Sequence, residues 1–211
     1  MPQTDLHIVA EYFLPVNHAL LAPKGSKLEN ITDVYSHEQA LAQCRGHIQK
    51  AGMQAHVEGD TAAAAEMIAK LNDGTKAALA STAAAEEYGL EVLHPNFQDT
   101  AHNTTRFLVW APKPAYPTGD TPCLTTFIFQ VKNVPAALYH AIGAFANNGV
   151  NMIKLESYML DGAFTTTQFL VDIEGHIEQP QVQAAFKALE DYAGHIKVLG
   201  VYPAHTARHQ K

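Results

Sequence analysis

Residues 124–149, LTTFIFQVKNVPAALYHAIGAFANNG, change their hydrophobic period within a few positions. Over 124–132, Phe127, Phe129 and Val131 alternate with Ile128, Gln130 and Lys132 behind two threonines, which is the period and composition of a strand. From Ala136 onward Leu138, Ile142 and Phe145 recur at helical spacing. Pro135 sits where a first helical turn tolerates proline, and Asn148-Gly149 supplies a left-handed stop. Working outward, residues 151–160 and 165–173 read as strands joined by Asp161-Gly162, a hairpin signal. Residues 180–192 open with proline and repeat Val182, Ala185, Phe186 and Leu189 on one helical face, and 196–202 is a short β-branched strand. The order βαββαβ is the split βαβ arrangement of a ferredoxin-like domain.

Immediately before this stretch, APKPAYPTGDTP (111–122) holds four of the eleven prolines, and proline locks φ and removes a donor, so a semi-rigid linker and a domain boundary are expected there. Upstream, residues 8–22 read as buried extended chain and 31–35 as a strand. Ser36 caps a helix through SHEQALAQCRGHIQKAG, and 55–58 is a further strand. Asp60 caps TAAAAEMIAKL, and 76–81 is a buried strand before a Ser81-Thr82 cap and AAAEEYG. Strand and helix alternate up to Gly89, which implies an α/β layer whose ligands sit at strand ends.

Composition narrows the function. Apolar residues make up 47% of the 211 and charged residues 17%, enough apolar surface to form a core. No stretch approaches the ~18 consecutive apolar residues of a membrane span, and the start shows no basic region followed by an apolar run, so a soluble cytoplasmic protein is expected. Net charge is −7 and the basic residues are scattered, which argues against nucleic acid and anionic membrane as partners. Cys44 and Cys123 fit no disulfide or zinc spacing and read as buried thiols. Twelve histidines form no HExxH pattern, so no metal site is expected, and His37, His47 and His56 read as surface or hydrogen-bonded residues.

Three segments carry possible chemistry. Ser36 with Gln43 and Arg45 follows a helix start, and both a plain cap and an anion site fit it. In Asn103-Thr104-Thr105-Arg106-Phe107 a hydroxyl, a guanidinium and a ring stand side by side at a strand mouth, where a surface turn is the competing explanation. A hydroxyl of Thr105's type acts by a directed hydrogen bond or relay rather than by storing a proton. Glu156-Ser157-Tyr158 is a polar triplet that a solvent-facing strand also explains.

Taken in order, VYSHEQALAQCR, AAAEEYGLEVL ending in QD, NTTRFLVW, the linker, VPAALY and GVNMIKLESY resemble the latter part of the prephenate dehydratase family over residues 8–204. That resemblance implies the second lobe of a two-lobed, periplasmic-binding-protein-like α/β catalytic domain over 1–110. A linker would occupy 111–122 and a ferredoxin-like ACT regulatory domain 123–204. It implies decarboxylating dehydration of prephenate to phenylpyruvate, without cofactor or metal, in phenylalanine biosynthesis. Thr105 would assist the leaving hydroxyl, Arg106 and Phe107 would shape and charge the pocket, and Ser36 and Gln43 would line the opposite wall. L-Phenylalanine would bind at Ala136, Ala137 and Leu138 and at Glu156 and Ser157, between ACT domains of a homodimer or homotetramer, and feed back on activity.

Three departures from the pattern stand out. Ala136 replaces the glycine of PGAL, ESYM at 156–159 replaces ESRP, and the first-lobe motifs GxxGTFS and PxENSxxG do not occur in these residues. The expectation is an N-terminally incomplete enzyme, arising from a truncated gene model or a true fragment. The alternatives are a non-catalytic amino-acid sensor and a subunit completed by a separate first-lobe chain.

Overall fold

The computed structural model describes residues 5–100, 103–118, 121–132, 134–159 and 167–209. Two compact units result: Leu14–Thr105, and Met1–Phe13 together with Arg106–Lys211. The chain passes between them within β1 (His7–Pro15) and again within β7 (Thr104–Ala111), two strands that pair as a two-stranded sheet. Among the described residues no helix is long and apolar enough to cross a membrane.

In the unit Leu14–Thr105, β2 (Ala19–Ala22), β3 (Asp33–Ser36), β4 (Gln54–Val57), β5 (Lys76–Ala80) and β6 (Glu91–His94) form one sheet in the order β4-β3-β5-β2-β6. β3 runs parallel to β4 and β5, whereas β2 is antiparallel to β5 and β6. Helices cover both faces, and the period of two divides the strand residues between them. Leu20, Ala77 and Leu79 pack with Leu41 of α1 (Glu38–Gln43), Ile48 of α2 (Arg45–Lys50) and Cys44 between them. Leu21, Ala78 and Ala80 pack with Ala64, Ala65 and Ile68 of α3 (Thr61–Leu71) and Ala84 and Ala85 of α4 (Thr82–Tyr88). Burial on both faces is why AALA, residues 77–80 of β5, reads as an unbroken apolar run. The caps behave as expected at two helices: Asp60 accepts from the Ala63 amide and Ser81 from the Ala84 amide.

The segment 36–52 departs from its expected single, serine-capped helix. Ser36 is the last residue of β3, paired with Val57, and its hydroxyl donates 2.6 Å to the Leu79 carbonyl instead of capping. His37 is the cap, its Nδ1 accepting the Gln39 amide. The helix then breaks at Cys44 (φ −111°, ψ 8°) because the Asp99 carboxylate accepts the amides of Gly46 (2.7 Å) and His47 (3.0 Å), starting α2 afresh. Those hydrogen bonds hold the Asp99 carboxyl below the ordinary aspartate range, against its desolvation.

The second unit contains the βαββαβ order: β8 (Cys123–Val131), α5 (Ala137–Ala146), β9 (Met152–Met159), β10 (Thr167–Glu174), α6 (Pro180–Glu190) and β11 (Ala193–Pro203). The antiparallel sheet has the order β11-β8-β10-β9. The expected turn at Asp161-Gly162 lies outside the described residues, but the strands flanking it pair from Thr167–Met159 to Ile173–Met152. Phe127 and Phe129 face α5 and α6, packing with Phe145, Val182 and Leu189, while Ile128 and Leu124 face Ile8, Leu108 and Trp110 of β1 and β7. Residues 111–118 and 121–122 of the proline-rich segment fall within this unit. β1 passes so close to β11 that a Cβ at Gly200 would lie 2.1 Å from the Ile8 carbonyl oxygen. Helix α5 starts at Ala137, one residue later than its period suggests, so Pro135 lies ahead of the first turn and Ala136 is the cap, at φ 61°. Cys44 and Cys123 are buried free thiols, and burial with the nearby Asp99 charge pushes Cys44 up to about 12.

Candidate active site

In the Leu14–Thr105 unit, β3 and β4 are neighbouring parallel strands whose following helices go to opposite faces, α1 to one and α3 to the other. Such a divergence opens a crevice at the carboxyl ends of the strands. A cavity of about 230 Å³ occupies it, lined by His37, Gln39, Ala40 and Gln43 from the α1 segment, Asp60 and Thr61 from the start of α3, and Val16, His18, Asn103 and Thr105. Its polar groups are hydroxyls, amides, imidazoles and one carboxylate, and among the described residues no lysine or arginine lines it.

A chain of hydrogen bonds backs this cavity. Asn103 Nδ2 reaches the Val16 carbonyl (3.3 Å) and Gln43 Oε1 (2.8 Å), and His18 Nε2 lies 2.7 Å from the same Gln43 oxygen. The backbone around His18 is itself fixed: its amide donates 3.0 Å to Gln98 Oε1 and its carbonyl accepts the Phe97 amide. His18 is 7% exposed and directly precedes the apolar run Ala19–Ala22, and a polar ring buried at that junction is the signal in the sequence that marks it.

Of the residues expected at a catalytic site, Thr105 and Gln43 come together here. Ser36 does not line the cavity, since it is fully buried with its hydroxyl on Leu79. Arg106, one residue beyond Thr105, belongs to the other unit. There its Nε donates 2.7 Å to Glu11, its Nη1 to Asp172 and its Nη2 2.7 Å to the Tyr202 hydroxyl. Thr126 ties Asp172 to Tyr202, and Arg208 completes the pairing of Glu11. Burial alone would raise the Glu11 carboxyl; hydrogen bonds from Arg208 and the His205 amide, with two guanidinium charges, hold it below the ordinary range. Desolvation and the Asp172 charge push Tyr202 up to about 12. Phe107 is half-exposed.

A second cavity, of about 260 Å³, lies in the βαββαβ unit and gathers Ala136, Ala137 and Leu138 with Val131, Lys132, Val134, Tyr139 and Thr167. Glu156 and Ser157 are not in its lining. Glu156 accepts from the Tyr158 hydroxyl and pairs with Lys154 at 3.2 Å, and these partners lower its carboxyl. The three histidines expected at the surface or in hydrogen bonds are so placed: His37 caps α1, His47 lies 2.9 Å from Asp99 and His56 2.6 Å from Asp33. Among the described residues no cluster of three or more His, Cys, Asp or Glu is arranged to hold a metal.

The family model described as prephenate dehydratase matches residues 1–115. The chain belongs to the prephenate dehydratase family. It is 45% identical over 205 residues to the bifunctional N-acyl-homoserine lactone acylase/prephenate dehydratase of Komagataeibacter europaeus, covering 97% of this chain and 73% of that one. It is 36% identical over 217 residues to arogenate dehydratase/prephenate dehydratase 1 of Arabidopsis thaliana, spanning 96% of this chain and about half, 55%, of the plant protein. The α/β fold is similar to that of the prephenate dehydratase of Arthrobacter aurescens in complex with L-Phe, with a TM-score of 0.83 and 28% identity over 98% of this chain and 71% of that one.

Proposed function

We propose that this chain provides the second lobe and the ACT regulatory domain of a prephenate dehydratase, divided functionally near the 111–122 linker, and that the 230 Å³ cavity is its share of the catalytic cleft. The observation that carries the reading is the convergence of Thr105 and Gln43 on that cavity in a member of this family. In the reaction the ring carboxylate leaves as carbon dioxide and its bonding pair enters the ring. The C–O bond to the ring hydroxyl breaks, and the departing hydroxide takes up a proton to leave as water. Aromatisation drives the step, so the protein holds the substrate and eases departure of the hydroxyl. Thr105 hydrogen-bonds that hydroxyl and relays the proton, and the Gln43 amide orients the substrate. Ser36 supports the site from behind by fixing β3 to β5, and Arg106, which follows Thr105 in β7, holds that strand through Glu11, Asp172 and Tyr202, with the half-exposed Phe107 next to it. The grip on two carboxylates needs cationic partners that the cavity lacks, which a first lobe would add. The size of the plant relative is in keeping with that.

Regulation follows the same logic. L-Phenylalanine, which is bound in the A. aurescens relative, would occupy the cavity at Ala136, Ala137 and Leu138. A second copy in a homodimer or homotetramer would bring Glu156 and Ser157 to it.

The test is conversion of prephenate to phenylpyruvate by the purified chain, alone and with a first-lobe fragment added. Thr105→Ala is expected to cut turnover by about a hundredfold or more with an unchanged circular dichroism spectrum; full activity would remove Thr105 from its role. Phenylalanine binding without turnover under either condition would support a sensor instead. A second reading rests on the 45% identity to the K. europaeus protein, whose name includes N-acyl-homoserine lactone acylase; release of homoserine lactone by this chain would support it.

A further inference from the structure

We infer that His18 and Asn103 are positioning residues that lock the Gln43 side-chain amide with its NH2 group turned into the cavity and its oxygen turned away. Donors and acceptors around Gln43 are fixed in turn from one group with a single possible role. The Val16 carbonyl can only accept, so the Asn103 atom 3.3 Å from it is the NH2 nitrogen. That nitrogen also lies 2.8 Å from Gln43, so the Gln43 atom facing it is the acceptor, Oε1. Oε1 in turn lies 2.7 Å from His18 Nε2, so that ring nitrogen carries a proton and donates. Reversing the Gln43 amide would set two NH2 groups against each other at Asn103; reversing both amides would set the Asn103 oxygen against the Val16 carbonyl oxygen.

The consequence is chemical. With both of its neighbours bonded to the oxygen, the two N–H donors of Gln43 are left for whatever occupies the cavity beside Thr105. The site therefore selects an acceptor-rich ligand at that point, such as a carboxylate or a carbonyl, and disfavours a donor. His18 serves as a fixed donor: it needs a proton on Nε2 but exchanges none during turnover. Its conservative replacement is glutamine, whose terminal NH2 falls near the position of Nε2, and not a residue chosen for its pKa.

The assignment of catalysis to Gln43 rests on the dehydratase reading; the orientation of its amide does not, and the experiment separates the two. Long-range proton–nitrogen correlation on the 15N-labelled chain, with His18 assigned through His18→Gln, is expected to show the His18 proton on Nε2. A ring protonated only on Nδ1 would overturn the inference. Kinetics form the second arm, using the chain under whichever condition gives wild-type turnover of prephenate. His18→Phe and Asn103→Asp are expected to lower kcat by about tenfold or more with a smaller change in KM, and His18→Gln to stay within about threefold of wild type. Wild-type kcat in His18→Phe, or loss in His18→Gln as severe as in His18→Phe while both remain folded, would overturn it. If no condition gives turnover, the dehydratase reading fails and the ring tautomer alone decides the inference.

Discussion

Thr105 and Arg106 are bonded neighbours whose side chains end in opposite kinds of environment. In the unit Leu14–Thr105, amides, hydroxyls, imidazoles and one carboxylate meet at a cavity, where Gln43 is held by its oxygen and the inferred orientation leaves its NH2 as a spare donor. In the unit that begins again at Arg106, charged groups meet in a closed network in which Arg106 has three partners and the Glu11 carboxylate takes bonds from two guanidinium groups and a backbone amide. A polar cluster that satisfies all of its members holds structure together, whereas one that keeps a donor in reserve is equipped to bind. By that criterion Arg106 belongs to a closed network, and the binding role proposed above falls to the cavity that Thr105 lines, although the two are adjacent in the motif.

Stability measurements on the charged network would break this contrast most sharply. Arg106→Met leaves Asp172 buried without its cation, and urea unfolding is expected to show a loss of about 3–5 kcal/mol, against less than about 0.5 kcal/mol for Thr105→Ala. Equal losses would erase the distinction. Gly200→Ala tests the same unit by packing instead of charge. The added methyl meets the Ile8 carbonyl, and a loss of about 1–3 kcal/mol is expected in the same assay. Ala136→Gly should go the other way. Alanine at φ 61° carries left-handed strain that glycine relieves, so a gain of about 1 kcal/mol is expected, readable as a rise in Tm.

A pH series sharpens the comparison with the smallest effect. Glu11 is held below the ordinary glutamate range of about 4.3 in the folded protein, so its contribution is complete above that pH and is lost as pH falls through the lowered folded value. Thermal melts should therefore steepen in their acid dependence below about pH 4, and Glu11→Gln should flatten that dependence while lowering Tm at neutral pH. An unchanged acid profile would show that Glu11 does not anchor the network.

Period and capping chemistry act over a few residues, and what they control was legible in the chain. The βαββαβ order follows from the change of period at residues 131–138, and α3 and α4 follow from Asp60 and Ser81 placed ahead of alanine-rich runs. Family membership was likewise legible, through ordered motifs such as NTTRF and VPAALY. The tertiary structure decided which partner each polar side chain found. Asp99 breaks the helix at Cys44 from more than fifty residues away, Leu79 takes the Ser36 hydroxyl from the cap it was expected to make, and Glu11, Asp172 and Tyr202 take the guanidinium of Arg106. A hydrogen bond depends on which atoms fold within 3 Å of each other, and spacing along the chain carries no record of that distance once the partners are far apart in sequence.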